Sequence, residues 1–383
     1  FIGLEVAENL AAKGVKTTVI DFAPHVLPNF LDPELSEYVE NRMAEAGIMP
    51  VTGVALEGVE GDGRVEKVLT SKRGYKADAL VLAIGIRPNT AFLEGAGIEM
   101  FKGTILTDQY LRTNLPDIYA AGDCAMVANR QTGKPAWSPM GSTANIAGRI
   151  LAGNVAGKET AYPGVLGTGV AKLPGGLNAG RTGLTETAAR AEGCDVETVT
   201  IVADDKAHYY PGAGVFIIKL TADRATRKLL GVQALGTGAV DKITDIAVTA
   251  ISLGAEVDQL AAMDFAYAPP FSTAIHPFAH GVNVLLNKLD GTLESFTPAE
   301  YAAGAAEGYE IVDCAQAPAL EGRLFLNPAA INGPVEGLEK DAKLLLICTK
   351  GRRAYLTQNR LKFYGYSNTR VLEGGTTLTE FGD

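Results

Sequence analysis

Apolar and polar positions recur along this chain with two periods. Ile2, Val6 and Leu10 stand at helical spacing and Gly14 fits a helix end, so the pattern predicts a helix over Ile2 to Lys13. Val15 to Asp21 reads as a strand with an acid at its tip, and Pro33 to Ala46 as a second helix, with short strands following to Val68. Ala79 to Ile84 and Ile118 to Ala121 are short continuous apolar runs, as in buried strands. Gly141 to Asn154 predicts a helix with small residues on one side. Gly214 to Leu220 and Lys228 to Ala234 predict strands, and a helix is expected around Val240 to Gly254. Asn287 to Phe296 breaks the pattern and reads as a linker. Thr297 to Asp383 then reads as a small α/β unit. In it Lys343 to Ile347 is an apolar strand and Arg353 opens a helix, with Ala354, Leu356 and Leu361 available for packing. Helices alternating with strands make this an α/β chain.

Composition narrows the picture. The 383 residues are 47% apolar, enough for about two to four domains with real cores. The net charge of −10 argues against nucleic acid or anionic membrane surfaces as main partners. No apolar run approaches the ~20 residues that span a bilayer, and no basic-then-apolar signal opens the chain. Phe1 is not Met and stands in the middle of a pattern, so an amino-terminal portion is expected upstream. The four cysteines, Cys124, Cys194, Cys314 and Cys348, are far apart without a C-x-x-C pair, which argues against a zinc site. So few thiols suit a reducing cytoplasm.

Three stretches carry candidate chemistry. After Ile118 to Ala121, Gly122 offers a backbone without Cβ, and Asp123 a carboxylate able to accept hydrogen bonds from ligand hydroxyls. Gly-Asp by itself marks only a turn. The first helix and strand resemble half of a dinucleotide-binding unit. There, a glycine such as Gly3 permits close packing, and an acid about twenty residues on, here Asp21, can bond ribose hydroxyls. The third stretch is Cys348-Thr349-Lys350-Gly351-Arg352-Arg353. It puts a thiol at a strand-to-helix turn, near a helix amino terminus and three cations, which favours a thiolate. Between Asp341 and Glu373 there are seven basic residues and no acid.

Larger motifs add a resemblance. Thr107-Asp108, Thr113, Asp117 to Ala120 and Gly122-Asp123 resemble the second flavin-binding motif of the FAD-dependent pyridine nucleotide-disulfide oxidoreductases, which implies that Asp123 holds the ribityl chain of FAD. Phe1-Ile2-Gly3-Leu4-Glu5 looks like the tail of that family's glycine-rich NAD(P) loop, and an acid at Asp21 would repel a 2′-phosphate, which favours NADH. Gly85 to Thr90 is similar to the crossing from the NAD domain back to the FAD domain. Tyr162 to about Asn287 resembles the dimerisation domain. His208-Tyr209-Tyr210-Pro211 and Tyr267-Ala268-Pro269-Pro270 match the tyrosine contexts of coenzyme A-disulfide reductases. The match implies that Tyr267, and either Tyr209 or Tyr210, reach coenzyme A and flavin. Ala144 and Asn145 fall where that type contacts cofactor and coenzyme A. Its usual lysine is absent here, and His276 stands adjacent to the expected place. Cys348 to Arg353, with Val371 to Gly375, resembles the active loop and tail of rhodanese domains.

The resemblance implies a partial two-dinucleotide-binding, glutathione-reductase-like fold. The expected domains are NAD(P)-binding over 1–86, the end of an FAD domain over 87–158, α+β dimerisation over 159–288 and a rhodanese-like unit over 294–383. The implied activity is NAD(P)H-dependent reduction of coenzyme A disulfide, coenzyme A persulfide or polysulfide by a homodimeric flavoprotein, with Cys348 handling sulfane sulfur. The flavin-proximal redox cysteine is expected upstream of Phe1. The alternatives are an NADH oxidase or peroxidase of the same superfamily, or an inactive dimerising scaffold.

Overall fold

Which face of a helix is buried depends on what lies beside it, and the first helix shows this. The computed structural model describes residues 1–381. Its first helix, α1 (Ile2–Ala12), buries Leu4 and Ala7 and rests Ala11 on the same core. The stripe of Ile2, Val6 and Leu10 lines an open groove. Strand β1 (Thr17–Ile20) follows, then α2 (Pro33–Glu45) and β2 (Ile48–Val51). β1 and β2 pair in parallel. A three-stranded antiparallel sheet comes next, β3 (Leu56–Glu60), β4 (Lys67–Thr70) and β5 (Gly74–Lys76). The apolar run at 79–84 forms no strand: Val81, Leu82 and Ile84 are exposed, and no strand among the described residues pairs with them.

Residues 82–169 form one compact unit, and the other described residues form a second. The 82–169 unit contains β6 (Met100–Phe101), β7 (Thr104–Leu106), β8 (Ala125–Ala128), β9 (Pro135–Ala136) and α3 (Gly141–Val155). The strand expected at Ile118 to Ala121 is reduced to one bridge between Arg112 and Tyr119. Asp117 before it and Gly122 after it both have positive φ, so the chain turns at each end of the run. The strand comes afterwards, as β8. Inside the unit, Asn154 donates to the carbonyls of Tyr110 and Thr160 and accepts from the Thr160 N–H. That side chain fastens the end of α3 to two loops.

The larger unit resumes with β10 (Gly169–Leu173), β11 (Leu177–Gly183), α4 (Glu186–Ala191), β12 (Val196–Asp204), β13 (Val215–Asp223) and β14 (Leu229–Gly236). The helices α5 (Val240–Leu253), α6 (Val257–Ala261) and α7 (Pro277–Leu289) follow. The sheet runs β10-β11-β14-β13-β12; α5 packs on β11 and β14, and α7 on β12 and β13. Leu4, Ala7, Leu35, Val39 and Met43 from α1 and α2 share one core with Ala179, Val202, Ile217 and Leu235 of this sheet.

A charged knot ties the same two parts together. Lys219 on β13 is 1% exposed, and its ammonium contacts Asp32 at 3.0 Å, Glu186 at 2.7 Å, and Glu34. Asp32 also accepts from the Gln233 amide and from the main-chain N–H groups of Glu186 and Thr187. Burial pulls the Lys219 pKa down, but Glu34, Asp32 and Glu186 outweigh it and hold it above its ordinary value. Burial likewise pushes Asp32 up, and Lys219 with the hydrogen bonds brings it down to about 2. A buried charge is tolerable only when paired in this way.

α7 runs through Asn287 to Leu289, so the expected linker is partly helix. Then come β15 (Ser295–Phe296), α8 (Pro298–Ala302), β16 (Glu310–Asp313), β17 (Leu324–Phe325), β18 (Leu344–Ile347), α9 (Arg352–Phe363) and β19 (Thr369–Leu372). They build a fully parallel sheet in the order β15-β19-β18-β16-β17. All four residues of β18 are buried, as a strand covered on both faces requires. α9 buries Ala354, Thr357, Gln358 and Leu361. Leu356, expected to pack, is exposed on the opposite face of the helix. Among the described residues no helix is long and apolar enough to cross a membrane.

Candidate functional site

In the 82–169 unit, Gly122 has φ +84, a conformation that costs glycine little and other residues more. A Cβ there would lie 3.7 Å from that of Ala144, so the turn and the first turn of α3 are in contact range. Asp123 is exposed and sits in the turn closed by Ala125 N–H on Gly122 O. Its carbonyl accepts from Trp137 Nε1 at 2.8 Å. The aspartate therefore stands before a strand, not at the carboxyl end of one as the apolar run suggested. α3 begins at Met140 without a side-chain cap, leaving first-turn N–H groups for an acceptor from outside. Asn145 donates to Gly141 O inside the helix. Gly85 is exposed at φ +100.

In the larger unit, Gly3 is half-buried on α1. The half-buried Asp21 follows the tip of β1, where Oδ1 accepts from Ala23 N–H and its own N–H donates to Val51 O.

Cys348 follows the last residue of β18, at the carboxyl edge of the parallel sheet, where open α/β sheets bind ligands. It is 5% exposed. Gly351, at φ +84, turns the chain into α9. The tail after β19 closes over this loop. Thr376 N–H donates to Cys348 O, and Thr377 donates twice to Thr349 O. Contact is so close that a Cβ on Gly375 would come within 1.7 Å of Cys348 O.

The cations are placed differently from the expectation of three charges on the thiol. Lys350 Nζ bonds Asp204 at 2.6 Å and Arg352 is exposed. Arg353 Nε donates to Cys314 O at 2.9 Å, and Nη2 to Asn327. Two of the three positive charges, Lys350 and Arg353, thus brace the loop. Glu373 braces it from behind. It accepts from Thr200 N–H at 2.7 Å, from Lys288 Nζ at 2.7 Å and from Ser295 Oγ at 2.6 Å.

The Lys350–Asp204 contact fixes the Cys348 loop to the end of β12, and the next residues carry Tyr209 and Tyr210. Ala207 N–H donates to Pro269 O, so this loop also meets the segment of Tyr267. All three tyrosines are exposed. His276, expected near the missing lysine, is a buried N-cap of α7 whose Nδ1 accepts from Phe278 N–H. It stacks on Phe265, and burial, aided by Lys242, takes it down to about 4. It cannot supply positive charge at neutral pH. Asp204 and Lys288 escaped the sequence reading as site residues, and Glu373 was seen there only as part of a motif. The motif Val371 to Gly375 flagged the neighbourhood, but pairing across about 85 to 175 positions leaves no periodic trace.

Known proteins match this architecture. Residues 1–145 match the pyridine nucleotide-disulphide oxidoreductase model, and residues 175–279 its dimerisation domain. A structure of a NAD-dependent persulfide reductase from A. fulgidus superposes with a TM-score of 0.91 at 33% identity, covering 99% of this chain and 70% of that one. The chain belongs to the pyridine nucleotide-disulphide oxidoreductase family. Among curated relatives, the CoA-dependent NAD(P)H sulfur oxidoreductase of Pyrococcus furiosus is 38% identical over 278 residues, 72% of this chain. The match spans 62% of that relative's own length. The water-forming NADH oxidase of Lactobacillus brevis superposes over 76% of this chain and 65% of its own, at 26% identity and a TM-score of 0.71. The mixed α/β architecture is that of the persulfide reductase.

Proposed function

We propose that this chain is part of a cytoplasmic, homodimeric, FAD-dependent NAD(P)H oxidoreductase that reduces coenzyme A disulfide, coenzyme A persulfide or polysulfide. The observation that carries the reading is the extent of the likeness. The persulfide reductase matches 99% of the chain and the NADH oxidase 76%. A sheet with a thiol at its carboxyl edge suits sulfur transfer and is not required for oxygen reduction.

The residues present fit the cofactors. Gly122 leaves space at a turn against Ala144, Asp123 presents an exposed carboxylate for ribityl hydroxyls, and the uncapped start of α3 favours negative charge. FAD, when bound, supplies two-electron chemistry between nicotinamide and sulfur. Gly3 and Asp21 would receive the adenosine end of the nicotinamide cofactor, and the carboxylate favours NADH. Gly85 would permit the backbone crossing. Tyr267, with Tyr209 or Tyr210, would donate a phenolic hydrogen bond to the sulfur substrate, and Asn145 would contact coenzyme A. Cys348 would carry sulfane sulfur, its loop held by Arg353, Lys350 and the tail.

The test is NADH oxidation by the flavin-loaded protein, run anaerobically with coenzyme A disulfide or polysulfide as acceptor and separately with oxygen alone. Turnover with these and not with oxygen supports the reading, and turnover with oxygen alone supports the oxidase. A protein that takes up no flavin removes both and leaves a dimerising scaffold.

A further inference from the structure

The second buried thiol of the C-terminal sheet stands beside the first. β16 and β18 are parallel neighbours with Asp313 opposite Ile347. Each strand is followed at once by a cysteine, Cys314 and Cys348. Cys314 N–H donates to Ile347 O at 2.7 Å, so the pairing continues to the end of both strands. Neighbouring strands lie ~4.8 Å apart, inside the ~4.4–6.8 Å range of Cα separations that a disulfide spans. Residues in register point to the same face, and both cysteines pack in the same core cluster. Neither is in a disulfide.

We propose that Cys314 is a resolving thiol for sulfur carried on Cys348: it attacks the Cys348 sulfur of a persulfide and expels the outer sulfur as sulfide. The proposal rests on the carrier reading of Cys348. In the step, the S–S bond between Cys348 and the outer sulfur breaks and a Cys314–Cys348 bond forms. The two protein sulfurs are oxidised to a disulfide, the sulfane sulfur takes the electron pair, and the Cys314 proton leaves with it as hydrogen sulfide. Two equivalents of an external thiol, such as coenzyme A, then reduce the protein disulfide and become a disulfide themselves. That product belongs to the substrate class proposed for the flavoprotein.

The surroundings give the two thiols different tasks. Cys314 is 0% exposed. Burial, with the neighbouring Cys348 and Asp313 charges, outweighs its hydrogen bond with Thr357 and pushes it up to about 12. A protonated, inaccessible thiol does not compete for donors in solution. It attacks only a sulfur placed beside it, as its proton passes to the departing outer sulfur, and the high effective concentration of the neighbouring strand offsets the small thiolate fraction. Arg353 holds the Cys314 carbonyl, which keeps the two strand ends together.

The experiment treats the full chain anaerobically with inorganic polysulfide, removes excess donor, and follows intact mass, released sulfide and a non-reduced peptide map. Wild type is expected to gain one sulfur on Cys348, then lose it as one equivalent of sulfide while a Cys314–Cys348 disulfide appears. Cys314→Ser and Cys314→Ala, checked for native circular dichroism, are expected to keep the added sulfur at least about tenfold longer. If the wild-type persulfide lasts as long as in these variants and no disulfide maps, the inference fails and the carrier reading stands. If Cys348 takes up no sulfur in wild type or variants, both fail. The wild-type peptide map decides the matter even if a variant misfolds.

Discussion

Replacing Lys219 by methionine tests what joins the first helices to the antiparallel sheet. Its ammonium is 1% exposed and lies among Asp32, Glu34 and Glu186, of which Asp32 is also 1% exposed. Removing one partner of a buried ion pair costs about 3–5 kcal/mol, because the other charge is left without compensation. Asp32 gives an independent scale. Its pKa falls from 3.8 to about 2, and at 1.36 kcal/mol per unit that is about 2 kcal/mol for this carboxylate alone. Lys219→Met is therefore expected to lose about 2–5 kcal/mol at pH 7, read from urea unfolding by far-ultraviolet circular dichroism. Fluorescence is unsuitable, since the single tryptophan, Trp137, lies in the other unit. In wild type the Asp32 contribution is complete above pH 3.8 and is lost as pH falls through about 2. In the variant Arg181 still faces Asp32 and Arg190 still pairs with Glu186, but the ammonium shared by all three carboxylates is gone, so they titrate higher than in wild type and their cost fades as they protonate. The gap between the two proteins should narrow as pH falls from 7 to about 4. A loss below about 1 kcal/mol, or a gap that ignores pH, would refute the role given to the knot.

Other expectations follow from single contacts. Gly375→Ala puts a methyl within 1.7 Å of Cys348 O at a position with φ +54; it should destabilise the C-terminal sheet by more than about 2 kcal/mol and abolish sulfur uptake, measured by urea unfolding and intact mass. Glu373→Gln removes the charge facing Lys288 and should cost about 3 kcal/mol, with faster hydrogen exchange at Thr200. His276 should show no NMR titration between pH 8 and 5. Because its folded value near 4 lies below the ordinary 6.5, the unfolded chain binds the extra proton first, and stability should fall as pH drops from 6.5 to 4. Tyr267→Phe should lower kcat with coenzyme A disulfide by about tenfold or more while leaving flavin absorbance unchanged.

What was legible in the sequence was mostly local. The spacing that gives α2, α3, α5 and α9 is contained within each segment, and the Cys348 turn was readable because a strand, a glycine and a helix follow in order. The failures concern partners. Val81, Leu82 and Ile84 have a strand's composition and no neighbouring strand. Ile118 to Ala121 is cut short by positive φ at Asp117 and Gly122; Pro116-Asp117 is itself a turn signal, outweighed in the sequence reading by the apolar run that follows it. The stripe of Ile2, Val6 and Leu10 was legible on α1, but periodicity does not say which side the core occupies, and Leu4 and Ala7 are the buried residues. His276 looked like a spare positive charge, and only the Phe265 ring and the α7 cap show it to be neutral. Asp123, Ala144 and Cys348 are singled out by motif, whereas the register that sets Cys314 beside Cys348 exists only once the strands pair.

The Lys350–Asp204 contact and the grip of Glu373 on β12 have a bearing on logistics. A thiol on a tethered arm could swing between stations; one fastened on two sides to a rigid sheet stays at its berth. Whatever reacts at this thiol must come to it, so the size and charge of the arriving molecule, not the reach of an arm, decide what the loop can serve.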